Sequence, residues 1–135
     1  MKKIILLIIC LAAFSNASEF SNQTMKSAYA QIVAGNYDSA VVEITKNSPL
    51  LKEKLNTRND ISQLGMQIKM LFDVGGKISR YELLKTDKVG PVEKSQYLIY
   101  CDNAPIKFEL IEYTNDAGKK SLLVFTYDMD SRNLF

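Results

Sequence analysis

The spacing of apolar residues changes once along this 135-residue chain, at the pair Gly75-Gly76. Before the pair, apolar side chains recur every three or four residues, which is typical of amphipathic helices. After it they alternate with polar ones, as in strands that bury one face. A single change of period predicts helices first and strands second, the order of an α+β domain.

Four helical segments are expected before the change of period. Gly35 is well placed to stop the first, and Asp38 to cap the second. Pro49 ends the second helix, because the residue before a proline is pushed out of helical geometry. Asn59 or Asp60 is expected to cap the long last helix. The predicted segments are 22–34, 38–47, 50–55 and 59–74.

Four strands are expected after it, with turn residues between them. Their connections are too short for parallel crossovers, so the strands form an antiparallel sheet with one face covered by the helices. In the third strand, Ile106, Phe108, Leu110 and Glu112 share one face. The predicted strands are 77–86, 92–101, 106–114 and 120–127.

The first 17 residues have the pattern of a bacterial secretory signal peptide. Lys2 and Lys3 precede an apolar run of 11 residues, which is shorter than the roughly 20 that a membrane-spanning helix needs. Small residues follow, and the expected cut lies between Ala17 and Ser18. We therefore expect a periplasmic or secreted protein without a stable membrane anchor, with 18–135 as one domain.

Composition excludes several classes of function. The chain has no histidine, so it has no Ser-His-Asp triad, no Cys-His pair and no HExxH zinc site. Lys2 and Lys3 account for its whole formal net charge of +2, and a neutral processed chain lacks the basic surface that binds nucleic acid. No motif for a metal or another cofactor is visible, and we expect neither.

Cleavage would remove Cys10 and leave Cys101 as the one cysteine. An internal disulfide is then impossible, although the compartment would permit one. Cys101 is either a small buried apolar residue in a strand or a thiol for an intermolecular disulfide. Neighbouring Asp102 would raise its pKa, which argues against a reactive thiol.

Three stretches carry a resemblance to a known family: IVAGNYDSA at 32–40, FDVGGK at 72–77, and VFTYD at 124–128 followed by DSRNL at 130–134. They resemble the nuclear transport factor 2-like (cystatin-like) superfamily, and within it small secreted bacterial proteins of uncharacterised function. The resemblance implies a curved sheet wrapped around the helices as a cone, often with a pocket at its open end, and a homodimer.

A second interpretation of the segment 35–40 is one helix–turn–helix of a tetratricopeptide repeat. That architecture needs three or more repeats of about 34 residues to bury its core. The sequence shows no second copy, and the alternating pattern after Gly76 is foreign to it.

Several aromatic residues and one carboxylate are the candidates to line an open cone. Strand alternation places Glu112 beside apolar neighbours, at the mouth of an apolar cavity or, alternatively, solvated at the strand end. Whether Tyr97 or Tyr100 points inward stays open, because both faces of 97–101 are apolar. We assign no catalytic residue. The expected ligand-binding residues are Tyr37, Phe72, Tyr81, Tyr100, Phe108 and Glu112.

The leading hypothesis is an exported, non-enzymatic binding domain that holds a small apolar or amphipathic ligand or a protein partner, as a homodimer. The alternative is an isomerase-like or cyclase-like enzyme that acts on a small hydrophobic substrate, in which Glu112 or Asp73 moves protons together with tyrosine hydroxyls. A third possibility is an interaction module with a filled cone.

Overall fold

A computed structural model describes residues 18–129. The predicted signal peptide, Cys10 and the motif at 130–134 lie outside the described residues. Four helices come first: α1 (Glu19–Val33), α2 (Tyr37–Thr45), α3 (Pro49–Lys54) and α4 (Arg58–Gly75). Four strands follow: β1 (Ile78–Val89), β2 (Val92–Cys101), β3 (Ile106–Thr114) and β4 (Lys120–Asp128).

The strands form one antiparallel sheet in the order β1-β2-β3-β4, with the helices packed on one face. The predicted α+β class is therefore confirmed, and β2 and β3 have the predicted bounds. A tetratricopeptide array is wrong for this chain, because the helices are followed by a four-stranded antiparallel sheet.

Three of the helices have a hydroxyl side chain as their N-cap. The Oγ of Ser18 accepts a hydrogen bond from the backbone N–H of Ser21, and the Oγ of Ser48 accepts one from Leu51, each at 3.1 Å. Each bond satisfies an amide that the helix itself leaves without a partner. Ser18 therefore determines the residue at which α1 begins.

Two predicted helix caps are wrong. Thr57, not Asn59 or Asp60, caps α4, because its Oγ1 accepts a hydrogen bond from the N–H of Asp60 at 3.1 Å. Asn36, not Asp38, precedes α2 and makes no side-chain cap bond. The acidic residues lie instead in the first helical turns, where a carboxylate is favourable next to free N–H groups.

The curvature of the sheet comes with breaks in its register. In β4, Phe125 pairs with Leu110 and Leu122 pairs with Glu112, so Leu123 is the extra residue of a bulge. Without it, residues three apart would point to opposite faces of the strand. The bulge therefore lets Leu122 and Phe125 share the inner face. A second register shift lies between Leu83 and Lys85 in β1.

The core lies between the inner face of the sheet and the apolar stripes of the helices. Its members are apolar side chains with almost no exposed area, contributed by α1, α2, α4 and the three strands β2, β3 and β4. Dispersion contacts and the removal of this surface from water are the main stabilising contributions to the domain. The buried set is Met25, Ala28, Ile32, Ala40, Val41, Ile44, Ile68, Phe72, Tyr97, Ile99, Ile106, Phe108, Leu110 and Leu122.

A glycine pair connects α4 to β1. Gly76 has φ +91°, a conformation that L side chains rarely adopt, and its N–H donates to the carbonyl of Phe72 at 2.9 Å. Asn103, between β2 and β3, secures the same turn through its N–H on the carbonyl of Gly75 (2.7 Å) and its Nδ2 on that of Val74 (3.1 Å). The change of period thus coincides with a fixed turn.

Close packing of α4 on α2 depends on Gly65. A Cβ at this position would overlap Oδ1 of Asp38 and lie 3.1 Å from the backbone nitrogen of Asp38. The Asp38 side chain, which accepts a hydrogen bond from Ser62 at 3.1 Å, could move, but the backbone of α2 could give way only if the two helices separated. Position 65 therefore requires glycine for lack of space.

We expect Gly65→Ala to lower the free energy of unfolding by about 1–3 kcal/mol, because the two helices must separate. In an unconstrained helix the same change would stabilise by about 0.5–1 kcal/mol. Urea unfolding followed by circular dichroism measures the difference. Gln63→Ala, at an exposed position of α4, is the matched control and should change stability by less than about 0.5 kcal/mol. Higher stability of Gly65→Ala would contradict the prediction.

Candidate functional site

Three of the predicted ligand-binding residues lie in one aromatic cluster inside the core. The ring of Phe72 lies 6.0 Å from that of Tyr37 and 6.4 Å from that of Phe108, and Tyr127 lies 6.0 Å from Phe108. Phe72 and Phe108 are buried, at 4% and 0% exposure. The structure therefore brings these residues together as packed core.

The remaining predicted tyrosines lie elsewhere. Tyr81 packs between Tyr29 and Tyr97, at ring distances of 4.3 and 6.4 Å, on the inner face. Tyr100 lies on the outer face, where the Arg80 guanidinium is 3.9 Å from its ring centroid and its hydroxyl donates to Glu82. Tyr97 therefore points inward and Tyr100 outward, which answers the question that the sequence left open.

Glu112 is buried on the inner face of β3, with 1% of its surface exposed. The interpretation of Glu112 as a solvated strand end is therefore wrong. Neither carboxylate oxygen has a hydrogen bond, and its ion-pair partner is Lys120, whose Nζ lies 3.7 Å from Oε1. Glu112 is four residues from Phe108, about 13 Å along the strand, and so lies apart from the aromatic cluster.

Around Glu112, the first turn of α1 meets the inner faces of β2 and β3. Glu93 is directly opposite Glu112 in the strand register. The backbone nitrogen of Ser18 donates to Oε1 of Glu93 at 3.2 Å, and the hydroxyl of Tyr97 donates to Oδ1 of Asn22 at 2.8 Å. We call this group the polar cluster; its members are Ser18, Ser21, Asn22, Glu93, Ser95, Tyr97, Glu112 and Lys120.

Four oxygen atoms of the polar cluster are buried without a hydrogen bond of normal geometry: Oγ of Ser21, Oγ of Ser95 and both oxygens of Glu112. Burying such groups costs free energy unless they are paired, most of all for a carboxylate. The presence of four such oxygens without hydrogen bonds in one cluster is therefore the strongest chemical anomaly of the described residues.

Tyr97 is the most perturbed titratable group of the cluster. Burial raises its pKa well above the usual value of 10.0, the neighbouring Ser95 hydroxyl opposes the shift, and the charges of Glu112 and Glu93 add to it. A phenol that is hard to ionise keeps its proton and acts as a hydrogen-bond donor to Asn22. Tyr97 is thus neutral and fixed in orientation.

A surface groove of about 540 Å³ lies where α1, the α2–α3 connection and the start of β4 meet. Lys120, the partner of Glu112, is part of its wall. The Nδ2 of Asn47 donates to Oγ1 of Thr24 at 3.2 Å, and the carbonyl of Asn47 accepts from the N–H of Leu122 at 3.0 Å. The groove residues are Glu19, Phe20, Gln23, Thr24, Ser27, Lys46, Asn47 and Lys120.

The other chemically reactive candidates have ordinary surroundings. Asp73 is exposed and pairs with Lys69 at 2.7 Å. Cys101 is a half-buried free thiol whose pKa is raised by burial and by Asp102. Among residues 18–129, no group of three or more acidic or cysteine side chains could hold a metal ion.

Sequence reasoning missed most of the polar cluster. The strand period itself contained a signal: counting back in twos from Ile99 along β2 gives Tyr97, Ser95 and Glu93, so the inner face becomes polar toward the start of the strand. Nothing comparable points to Ser18 or Lys120. Their contacts join positions far apart in the chain.

No protein-family model matches the chain, and no curated protein matches it. In the part of the chain that the structure describes, no helix is both long and apolar enough to cross a membrane.

We expect Lys120→Met to lower the free energy of unfolding by about 1–3 kcal/mol, because it leaves the buried Glu112 carboxylate without its cation. In a Glu112→Gln background the same change should cost less than about 0.5 kcal/mol. Chemical unfolding of the four proteins measures the coupling, with Lys119→Met as the control for loss of a neighbouring lysine. Equal costs in both backgrounds would show that the ion pair contributes nothing.

The raised pKa of Tyr97 predicts a loss of stability at alkaline pH. Its folded-state pKa exceeds the unfolded value, so the contribution is complete below about pH 10 and is lost as the pH rises further. Tyr97→Phe should be less stable than the parent near pH 8 by about 1 kcal/mol, for want of the bond to Asn22. Unfolding titrations at increasing pH should show this gap narrow. A gap that stays constant up to pH of about 11 would refute the assignment.

Proposed function

We propose that the processed chain is an exported, non-enzymatic binding domain that recognises a protein partner, either a second copy of this chain or a different protein, through the exposed face of α4. The observation that carries this proposal is a row of exposed apolar side chains on that helix. Met66, Met70 and Val74 are 64%, 62% and 64% exposed, although each is large and apolar. Exposed apolar residues that cluster on one element are typical of interaction sites.

Helix geometry makes the row continuous. Residues four apart lie one turn above each other on nearly the same side of a helix. The ion pair of Lys69 with Asp73 borders the row on one side, and Gln63 and Gln67 border it on the other. Unbranched methionine side chains adapt their shape to a partner, which suits them to such a surface. We call Met66, Met70 and Val74 the α4 row.

The packed interior supports a protein partner over a ligand inside the cone. Phe72 and Phe108, which were expected to line a pocket, are core residues in ring contact with each other. A small molecule at that place would have to displace them. The exposed α4 row needs no such rearrangement.

The export part of the proposal rests on residues 1–17, whose sequence has the charged start, apolar run and small residues of a signal peptide. The order of four helices and a curved antiparallel sheet supports placing the domain in the nuclear transport factor 2-like superfamily. Homodimers in that superfamily make a second copy of this chain the first partner to test.

The polar cluster favours a second candidate function, proton transfer or binding of a small amphipathic ligand. Glu112 has carboxylate oxygens without hydrogen bonds and lies near the neutral Tyr97, and its partner Lys120 faces the groove. A ligand that displaced Lys120 would meet the Glu112 carboxylate and the Tyr97 phenol. Both proton transfer and ligand binding require the buried Glu112 to become accessible to the ligand, whereas the α4 row is already exposed.

We expect Met70→Glu to weaken association of the processed chain at least tenfold, because it places a charge in the middle of the α4 row. Sedimentation velocity over a range of micromolar concentrations measures self-association. Gln63→Glu adds the same charge to an exposed position of the same helix beside the row and should have little effect. Native mass spectrometry of the same samples detects any retained ligand.

A dimer that Met70→Glu dissociates and Gln63→Glu does not would support the proposal. If the chain is monomeric, a photo-crosslinking residue at position 70, compared with one at 63 in the producing cells, tests for a different protein. Absence of both association and position-specific crosslinks would contradict the proposal. A retained ligand that is lost in Lys120→Met would favour the second candidate.

A further inference from the structure

The backbone nitrogen of Ser18 occupies a place where a positive charge would be stabilised. It lies 3.2 Å from Oε1 of Glu93. Ser18 also caps α1 through its side chain, so the position of its nitrogen is fixed by the helix that follows. The expected signal-peptidase cut is the bond to this same nitrogen.

The surroundings of Ser18 carry an excess of negative charge. Glu93 and the buried Glu112 are directly opposite in the strand register, and like charges at such positions repel. Lys120 forms an ion pair with Glu112, whereas no side chain among residues 18–129 forms one with Glu93. Of these two facing carboxylates, Glu112 therefore has an ion-paired cation, and Glu93 has none among the described residues. One further positive charge would balance the pair.

We propose that Ser18 is the processed N-terminus and that its ammonium group forms an ion pair with Glu93, so that cleavage completes the polar cluster. Hydrolysis breaks the C–N bond between Ala17 and Ser18. The water oxygen goes to the carbonyl carbon of Ala17, which leaves as a carboxylate, and both water hydrogens end on the Ser18 nitrogen, which becomes NH₃⁺. The uncleaved chain has a neutral amide at the same position.

This inference rests on the proposed export, because it needs a cut at Ala17-Ser18. Its physical consequence is that processing stabilises the fold. An amide N–H donates to the Glu93 carboxylate from a neutral group, whereas an ammonium adds a full positive charge, so that both partners of the bond are ionised. The charge must also overcome its unfavourable position at the positive end of the dipole of α1. The short distance and the second carboxylate, Glu112, favour the ion pair.

N-terminal acetylation separates the charge from the hydrogen bond. Acetyl-Ser18 keeps an amide N–H that can donate to Glu93 and loses only the positive charge. The chain Ser18–Phe135 includes every described element, and it can be produced with an initiator Met that is removed, with or without an N-terminal acetyltransferase. Thermal unfolding is compared for the free and acetylated forms of the parent chain and of Glu93→Gln.

We expect acetylation to lower the Tm of the parent chain by about 3–5 °C and that of Glu93→Gln by less than about 1 °C. Glu19→Gln is the matched control, because it removes a neighbouring carboxylate on α1 for which no bond to the Ser18 nitrogen is found. Acetylation should therefore lower the Tm of this variant by about as much as it lowers that of the parent chain. The difference in the parent should also shrink at high salt, a readout that needs no variant.

Equal effects of acetylation in the parent and in Glu93→Gln, or no effect in the parent, would overturn the ion pair. The mass of the exported chain tests the proposed export separately. A mass that corresponds to Ser18–Phe135 supports it, whereas a retained signal segment or another cut refutes it, whatever the Tm comparison shows.

Discussion

Covering the inner face of β2 and β3 is the constraint on which the rest of this structure depends. That face is apolar over most of its length, and one element cannot bury it alone. The stripes of α1, α2 and α4 do so, with Phe72 of α4 against Phe108 of β3 at one end. At the other end the strands continue as Ser95 and Glu112, and the first turn of α1 meets them. One sheet face therefore produces both a packed core and a polar cluster.

Much of the fold could be predicted, because burial of one face imposes a period on the sequence. The alternation over 106–114 defines β3 and the face of its side chains, and the change of period at Gly76 marks a turn that only a flexible residue can make. The helix caps were harder to predict. A cap is decided by one side-chain hydroxyl, and the sequence near α4 offers Thr57, Asn59 and Asp60 within four positions, each a chemically acceptable choice.

The candidate site could be predicted only in part. The inward direction of Glu112 follows from the period of β3. Its partners do not, since Lys120 lies in another strand and Glu93 becomes its neighbour only through the β2–β3 register. The bulge at Leu123 also changes the parity of β4, which a sequence pattern does not show. The aromatic residues expected around a pocket are distributed between the core and the outer face. Aromatic side chains pack against the faces of a curved sheet as readily as they line a cavity.

The polar cluster and the outer face of α4 contribute differently to the stability of the fold. A buried carboxylate is a cost that hydrophobic residues of similar volume would avoid. The proposed Ser18 ammonium would offset the cost of keeping Glu112 beside Glu93. Its ion pair with Glu93 would also fix the start of α1 against β2. The polar cluster in that case holds the helical layer in register on the sheet, and it does so without using α4. The buried side chains of α4, the close approach at Gly65 and the turn at Gly76 hold this helix in place, so the exposed side chains of the α4 row add little to the packing of the core.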